Sequence, residues 1–281
     1  MSKSIRDGIH KDISNAAYHA NDRLSTSGIK KIRESIADFE LYKEKPTIQT
    51  TPLRLGSLFD MYLFDGEFDD SVFLIPPEIP LNKDGSPKKS AKAYKELAGE
   101  IGDKTILTAQ ELATFQKMKS AIYSHKRAAA IMAEGESQTS ILFTDPETGI
   151  KCQVRPDWIT SNNFLVDLKT CPKGKASPRN VGRHCHDFGY QIQDSFYTFG
   201  HDLIADAPAN GFLFLFVEKE EPFHVSVIEL DEDAKSLGAA QFRQALDKYG
   251  LFQNSVEEQK EELRGYGHDI KTISLPGYAF F

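Results

Sequence analysis

Residues 150–170 read IKCQVRPDWITSNNFLVDLKT, and the reading of the whole chain turns on this stretch. Residue types alternate along both halves, the period-2 signature of β-strands with one buried and one working face. In the first half Ile150, Cys152, Val154, Pro156 and Trp158 share one parity, and Lys151, Gln153, Arg155 and Asp157 share the other. Thr160-Ser161-Asn162-Asn163 supplies a turn, because these residue types tolerate left-handed or side-chain-capped backbone. In the second half Val166 and Leu168 fall on one face and Asp167 and Lys169 on the other. Paired as neighbouring strands, the two halves would bring Asp157, Asp167 and Lys169 into one small volume. That trio suits a divalent metal and a water. Mg²⁺ takes oxygen ligands, usually one or two carboxylates completed by water or substrate phosphate. It polarises a phosphate and lowers the pKa of bound water, while a lysine two residues beyond the second acid can hold the attacking water.

Outward from this stretch, Gln138–Thr144 and Ile150–Trp158 flank Asp145-Pro146-Glu147-Thr148-Gly149, a hairpin turn closed by glycine, and Phe164–Lys169 is the third strand. Upstream, Thr108-Ala109-Gln110-Glu111 is a capping box. It opens a helix with Leu112, Phe115, Met118 and Ile122 inward, which continues, with a break, to Ala133. The hydroxyls of residues 25–27 cap a helix carrying Ile29, Ile32, Ile36 and Phe39 at 3–4 spacing, ending before Pro46. Residues 53–65 form a second helix with Leu55, Leu58, Phe59, Tyr62 and Leu63 as its apolar face, and residues 72–75 a short strand stopped by Pro76-Pro77. Downstream come a helix over Phe188–Ile204, a hairpin from Phe212–Val217 and His224–Leu230, and a final helix capped by Asp231 or Asp233 and running to about Asn254. The tail, residues 269–281, ends apolar and is expected to pack on the body or on a neighbouring subunit. The expected fold class is α/β, an α+β mixed sheet flanked by helices. It forms one domain over residues 1–281, with its core at about residues 105–260 and a helical elaboration before it.

At 281 residues, with 40% hydrophobic and 27% charged side chains, the composition is that of a globular protein with a sizeable core. No run approaches the roughly 18 apolar residues of a membrane span, and residues 1–14 carry no signal-peptide core. Cys152, Cys171 and Cys185 cannot all pair, which suits a reducing cytoplasm. A net charge of −7 excludes a surface that coats nucleic acid indiscriminately, so any such contact must come from local basic tracts. Two exist. In residues 82–95, Lys83, Lys88, Lys89, Lys92 and Lys95 oppose only Asp84, giving either a solvated loop or an arm that grips a phosphate backbone. In residues 169–186, Lys169, Lys173, Lys175, Arg179 and Arg183 occur with no acid. Cys171, His184, Cys185 and His186 lack the paired spacing of a structural zinc site, and no nucleophile-elbow motif is present.

The order Pro156-Asp157, about ten residues containing a turn, then Asp167-Leu168-Lys169 is the PD-(D/E)XK nuclease signature. Beyond it, the chain resembles the RecE-type exonuclease domain (exodeoxyribonuclease VIII), in the RecB-like branch of that superfamily. The resemblance runs from the Ser25…Ser27…Lys30 helix through Gly56-Ser-Leu-Phe-Asp60, the basic 82–95 insert, TGIKCQVRPDW, LVDLKT and FGYQIQDSFY to the closing SLPGYAF. It implies a restriction-endonuclease-like fold and Mg²⁺-dependent (or Mn²⁺-dependent) hydrolysis of one DNA strand, 5′ to 3′, from a linear duplex end. The products would be 3′ single-stranded tails for recombination in a phage or prophage setting. It further implies Asp157 and Asp167 as metal ligands, the Leu168 carbonyl as a further one, and Lys169 on the nucleophilic water. Gln193 and Tyr197, at i and i+4 on one helix face, would orient the phosphate or the lysine, and Glu136 stands where some relatives place an additional acid. Lys88, Lys89, Lys92, Arg155, Lys173, Lys175, Arg179 and Arg183 are the expected DNA contacts. The resemblance also implies a ring of identical subunits, such as a tetramer, and a single-strand-annealing recombinase as partner.

The chain departs from the pattern at Asp60, where RecB-like nucleases carry a metal-binding histidine four residues after the glycine. An aspartate is a harder oxygen ligand that retains Mg²⁺ or Mn²⁺ but adds repulsion toward an incoming phosphate. The residues leave two alternatives open: an endonuclease of the same fold that cuts internally, and a DNA-end-binding protein whose site no longer cuts.

Overall fold

Strand formation around residues 150–170 follows the alternation but is interrupted by a proline. In the computed structural model, which describes residues 5–45, 50–83 and 85–275, the first elements are β1 (Gly8–His10), α1 (Asn15–His19), α2 (Thr26–Glu34), α3 (Ile36–Glu44) and α4 (Thr51–Phe64). Then come β2 (Val72–Leu74), α5 (Lys92–Ile101), β3 (Thr105–Leu107), α6 (Ala109–Ser124), α7 (Lys126–Ile131), β4 (Gly135–Ser137) and β5 (Ser140–Thr144). The quoted stretch gives β6 (Lys151–Val154), β7 (Trp158–Thr160) and β8 (Phe164–Cys171). The chain closes with α8 (Val181–Phe188), α9 (Tyr190–Ile204), β9 (Gly211–Glu218), β10 (Val225–Ile228), α10 (Glu232–Asn254) and α11 (Glu257–Arg264).

A mixed sheet in the order β10-β9-β8-β7-β4 holds β8 at its centre, parallel to β9 and antiparallel to β7. The parallel pair needs a crossover, which α8 and α9 provide. Both faces of β8 are covered. Val166 and Leu168 pack with Leu215, Val217 and the helix residues Leu58, Phe59, Phe115 and Met118. Leu165 and Cys171 pack on the other face with Phe212, Phe214, Phe216, Val181 and Cys185. Asp167 and Lys169 share the parity of that second face, so the alternation read from the sequence places them in the interior. A second sheet, β1-β5-β6, is covered by α2, α3, α9 and α10 through Ile29, Ile32, Phe39, Phe143, Phe196 and Phe242.

Three boundaries differ from expectation. Residues 150–158 are not one strand: β6 pairs with β5 and β7 with β8, in different sheets. Pro156 has no N–H to donate to a ladder, so the chain leaves one sheet there and joins the other at Trp158. The helix expected from residue 25 to Pro46 is two helices, because Ser35 is extended (φ −162°, ψ 163°) and its hydroxyl caps α3 by accepting from Asp38 N at 2.9 Å. The helix expected from Phe188 begins at Tyr190. Gly189, at φ +63°, ends α8, and α8 occupies part of what read as a basic linker. The capping box of Thr108 and Glu111 and the Asp231 cap both form. Residues 276–281 of the apolar tail lie outside the described residues.

Candidate active site

Of the two acids in the quoted stretch, Asp157 is held by the backbone and Asp167 by side chains. Asp157 sits at the crossing between the two sheets, where β7 has not yet begun to pair with β8. Its Oδ2 accepts from the Leu168 backbone N–H at 2.7 Å, and its Oδ1 accepts from Gln138 Nε2 at 3.4 Å. Gln138 is set by a left-handed backbone (φ +49°), and its own N–H donates to the Asp157 carbonyl at 3.0 Å. In a strand the N–H and C=O of one residue face the same neighbour. The Leu168 carbonyl therefore opens on the Asp157 side, where no strand partner covers it.

Asp167, only 4% exposed, lies one residue before Leu168 on β8. Its Oδ1 accepts from Gln193 Nε2, and its Oδ2 forms an ion pair with Lys169 Nζ without a further hydrogen bond. Tyr197, one turn beyond Gln193 on α9, backs the site, edge-on to Phe212 at 5.6 Å between ring centroids. Burial drives its hydroxyl well above the usual tyrosine range. The Gln-x-x-x-Tyr face thus grips an acid, through Gln193, rather than the lysine. Asp60 comes from α4, which passes over β8 near Thr170. A Cβ on Gly56 would stand 3.9 Å from Thr170 Oγ1, and Asp60 follows one turn later.

Electrostatically these groups are one system. Burial, then the charges of Asp167 and Asp60, push Asp157 well above the ordinary carboxylate range. Burial, then Asp167, raise Asp60 to about 7. Burial works against the Lys169 charge, yet Asp167, with Tyr190 and Asp157, carries it above the usual lysine range. Several carboxylates facing one ammonium in a desolvated setting repel one another. A small divalent cation would relieve that repulsion, and Asp157, Asp167 and the Leu168 carbonyl could offer it oxygens. Among the described residues, no three His, Cys, Asp or Glu side chains converge at metal-ligand spacing. Asp60 adds its charge to the cluster, acting on Asp157 and being acted on by Asp167.

Two expected site residues lie elsewhere. Glu136, on β4 opposite Ile159, is exposed and paired with Lys11, and it is absent from the charges that act on Asp157. Arg155 is buried: its Nε and Nη2 donate to Ser140 Oγ, Nη2 also to the Ile13 carbonyl, and it stacks 4.3 Å from the Tyr18 ring centroid. That arginine ties the residues after β6 to β5 and the N-terminal segment, and its guanidinium is engaged within the protein. Lys173, Lys175, Arg179 and Arg183 are exposed on the loop after β8 and the start of α8. Buried Glu218 holds this loop by accepting from Gly174 N at 2.7 Å and Ala176 N at 3.3 Å. Lys88 and Lys89 are exposed as well, at the end of a turn closed by Asn82 N to Ser86 O at 2.7 Å and by Lys88 N to Pro80 O at 2.7 Å, and Lys92 is exposed at the start of α5.

The sequence reading missed Lys30 and Tyr190. Tyr190 opens α9 and lies beneath Lys169 Nζ, 4.7 Å from ring centroid to nitrogen, and burial raises its hydroxyl to about 12. Lys30 of α2 reaches the same ring from another part of the fold, at 5.6 Å. Its sequence signal was its place in the Ser25…Ser27…Lys30 match of the early helix, to which no role was attached.

Residues 25–262 match the family described as "PDDEXK-like domain of unknown function (DUF3799)". Among solved structures, the Eubacterium rectale protein named "Putative exonuclease" superposes at a TM-score of 0.58 with 15% identity, covering 94% of this chain and 97% of that one, which shows a common fold. A phage-related exonuclease from Haemophilus somnus 129PT has 14% identity over 81% of this chain and 93% of its own, at a TM-score of 0.34. No curated protein matches the sequence.

Proposed function

The chain belongs to the PDDEXK-like family and has the PD-(D/E)XK fold, and from that premise we propose that it is a divalent-metal-dependent nuclease acting on DNA from linear duplex ends. The observation that supports this most directly is the meeting of Asp157, one residue before β7, with Asp167 and Lys169 of the neighbouring strand β8. Asp157 and Asp167, with the Leu168 carbonyl, would hold Mg²⁺ or Mn²⁺, Mg²⁺ being the expected ion. When bound, that ion supplies electrophilic pull on the scissile phosphate and a lowered pKa for water.

The rest is the work of this chain's own groups. Lys169, kept charged by Asp167 and seated on Tyr190, orients the water and offsets negative charge developing on the phosphate. Gln193 fixes the rotamer of Asp167, and Leu168 N–H and Gln138 fix that of Asp157, so both acids keep their aim without metal. Attack in line expels the 3′ oxygen and leaves a 5′ phosphate. The exposed lysines and arginines after β8 would lie along the backbone of the duplex. The resemblance read from the sequence supports 5′-to-3′ resection leaving 3′ tails, a ring of like subunits and a single-strand-annealing partner, and the three cysteines that cannot all pair support a cytoplasmic site of action. No helix among the described residues is long and apolar enough to cross a membrane.

The test is digestion of linear against covalently closed circular duplex with Mg²⁺, Mn²⁺ or EDTA, alongside Lys169→Ala. Loss of linear DNA alone, dependent on metal and on Lys169, is expected, and 5′- against 3′-labelled ends report the polarity. Nicking or linearising of the circle would replace the end-dependent reading with an endonuclease. An inert wild type that still binds ends would refute cutting altogether.

A further inference from the structure

A run of side chains leads from Lys169 out to solvent. Tyr190 carries Lys169 Nζ on its ring at 4.7 Å and Lys30 Nζ at 5.6 Å. Lys30 Nζ donates to the Phe188 carbonyl at 2.7 Å, and the Phe188 ring is stacked beside Tyr190 at 5.7 Å and 26°. Phe188 is nevertheless 56% exposed at the end of α8. A single exposed phenylalanine is unremarkable by itself. This one shares a stack with the ring beneath the lysine of the candidate active site. Gly189 leaves the passage open: a Cβ there would stand 3.3 Å from Lys30 Cε.

The charge pattern adds to this. Among the described residues, the anion that acts on Lys30 is Asp167, which is already ion-paired with Lys169. Burial and the Lys169 charge hold Lys30 down to about 8. A half-buried ammonium beside another ammonium, without an acid of its own, is a place where an added anion would be stabilised by both. A phosphate group meets that need, and an aromatic face beside it meets the need of a base. Stacking is indifferent to base identity, which suits a site that must pass any sequence.

We propose that Lys30 and Phe188 form a nucleotide subsite beside Lys169, Lys30 holding a backbone phosphate next to the one that is cut and Phe188 stacking on the attached base. The subsite takes its substrate class from the nuclease reading above, and it makes one strand's position specific without reading its sequence. Lys30 is a positioning residue here, and Phe188 is a binding residue.

The test separates the two readings. Binding of a short fluorescent single-stranded oligodeoxynucleotide is followed by anisotropy in EDTA, so that nothing is cut, across a salt series. Lys30→Met should weaken binding about tenfold and lower the slope of log Kd against log salt by about 0.7, one phosphate's worth on a single strand, while Lys30→Arg keeps the slope. Phe188→Ala, at an exposed position that folding does not need, should weaken binding at least about fivefold without changing the slope, and Phe188→Trp should retain it. The Phe188→Ala loss should vanish for the oligonucleotide whose abasic position falls at the subsite, found by moving one abasic nucleotide along the strand. Affinities within twofold of wild type for both variants, or a Phe188→Ala loss equal for every abasic position, would overturn the subsite. Cleavage of linear duplex is measured in parallel. Its absence in the wild type refutes the nuclease reading, and the binding data still decide the subsite.

Discussion

Replacing Asp60 with asparagine should stabilise the metal-free protein at alkaline pH and do nothing at acid pH. Its folded carboxyl is raised from 3.8 to about 7, by burial first and the Asp167 charge second. A raised carboxyl binds its proton more tightly in the folded chain than in the unfolded one. Its contribution to stability is therefore complete below about pH 4 and lost as pH climbs through about 7. The full rise corresponds at most to about 4 kcal/mol, at about 1.36 kcal/mol per unit. Lys169 still offsets part of the repulsion and the side chain keeps some contact with water, so about 2 kcal/mol is the expected gain for Asp60→Asn at pH 8. Urea melts in EDTA at about pH 3 and at pH 8 measure it: the two proteins should coincide at the lower pH and separate at the higher. Mg²⁺ at pH 8 should then narrow the gap by binding the folded wild type. A variant no more stable than wild type at pH 8 would refute the view that these carboxylates are held together against their repulsion.

Other outcomes follow from the same geometry. Lys169→Met should reduce DNA cleavage about 10²–10⁴-fold, read from initial rates on linear duplex, if Lys169 acts on the water. Gln193→Leu removes the donor that fixes Asp167 and should shift the Mg²⁺ concentration for half-maximal cleavage upward about 10- to 100-fold. Arg155→Ala should lower the urea midpoint, by losing buried bonds to Ser140 and Ile13, while the salt slope of DNA binding in EDTA stays that of wild type. A changed slope would return Arg155 to the DNA contacts.

The parts of the site that were legible in the sequence are those made by one element. Asp167 and Lys169 share a strand face because the pleat repeats every two residues, and Gln193 and Tyr197 share a helix face because the helix repeats every 3.6. Asp157 was legible through its spacing from them. Where the reading failed, a local pattern had been carried across a break. Extending one strand through Pro156 put Arg155 on the working face, whereas β6 ends there and Arg155 turns into the interior. The apolar spacing of Ile29, Ile32, Ile36 and Phe39 runs unbroken over the interruption at Ser35, so one helix was read where two exist. Glu136 was placed by analogy with relatives, but β4 pairs at the sheet edge and its side chain meets Lys11. Lys30 and Tyr190 reach Lys169 from α2 and α9, 139 positions before it and 21 after it (169 − 30 and 190 − 169). No periodicity in either helix encodes that meeting; it exists only once the helices have packed.

The crossing at Pro156 also bears on when the protein becomes active. Asp157 stands one residue before β7, and its partner N–H belongs to β8 of the same five-stranded sheet, which also carries Asp167. A chain in which only β1-β5-β6 has formed has neither acid fixed, whereas β10-β9-β8-β7-β4 carries both. Assembly of the acid pair therefore belongs to the pairing of β7 with β8, and partly folded molecules without that larger sheet would lack it.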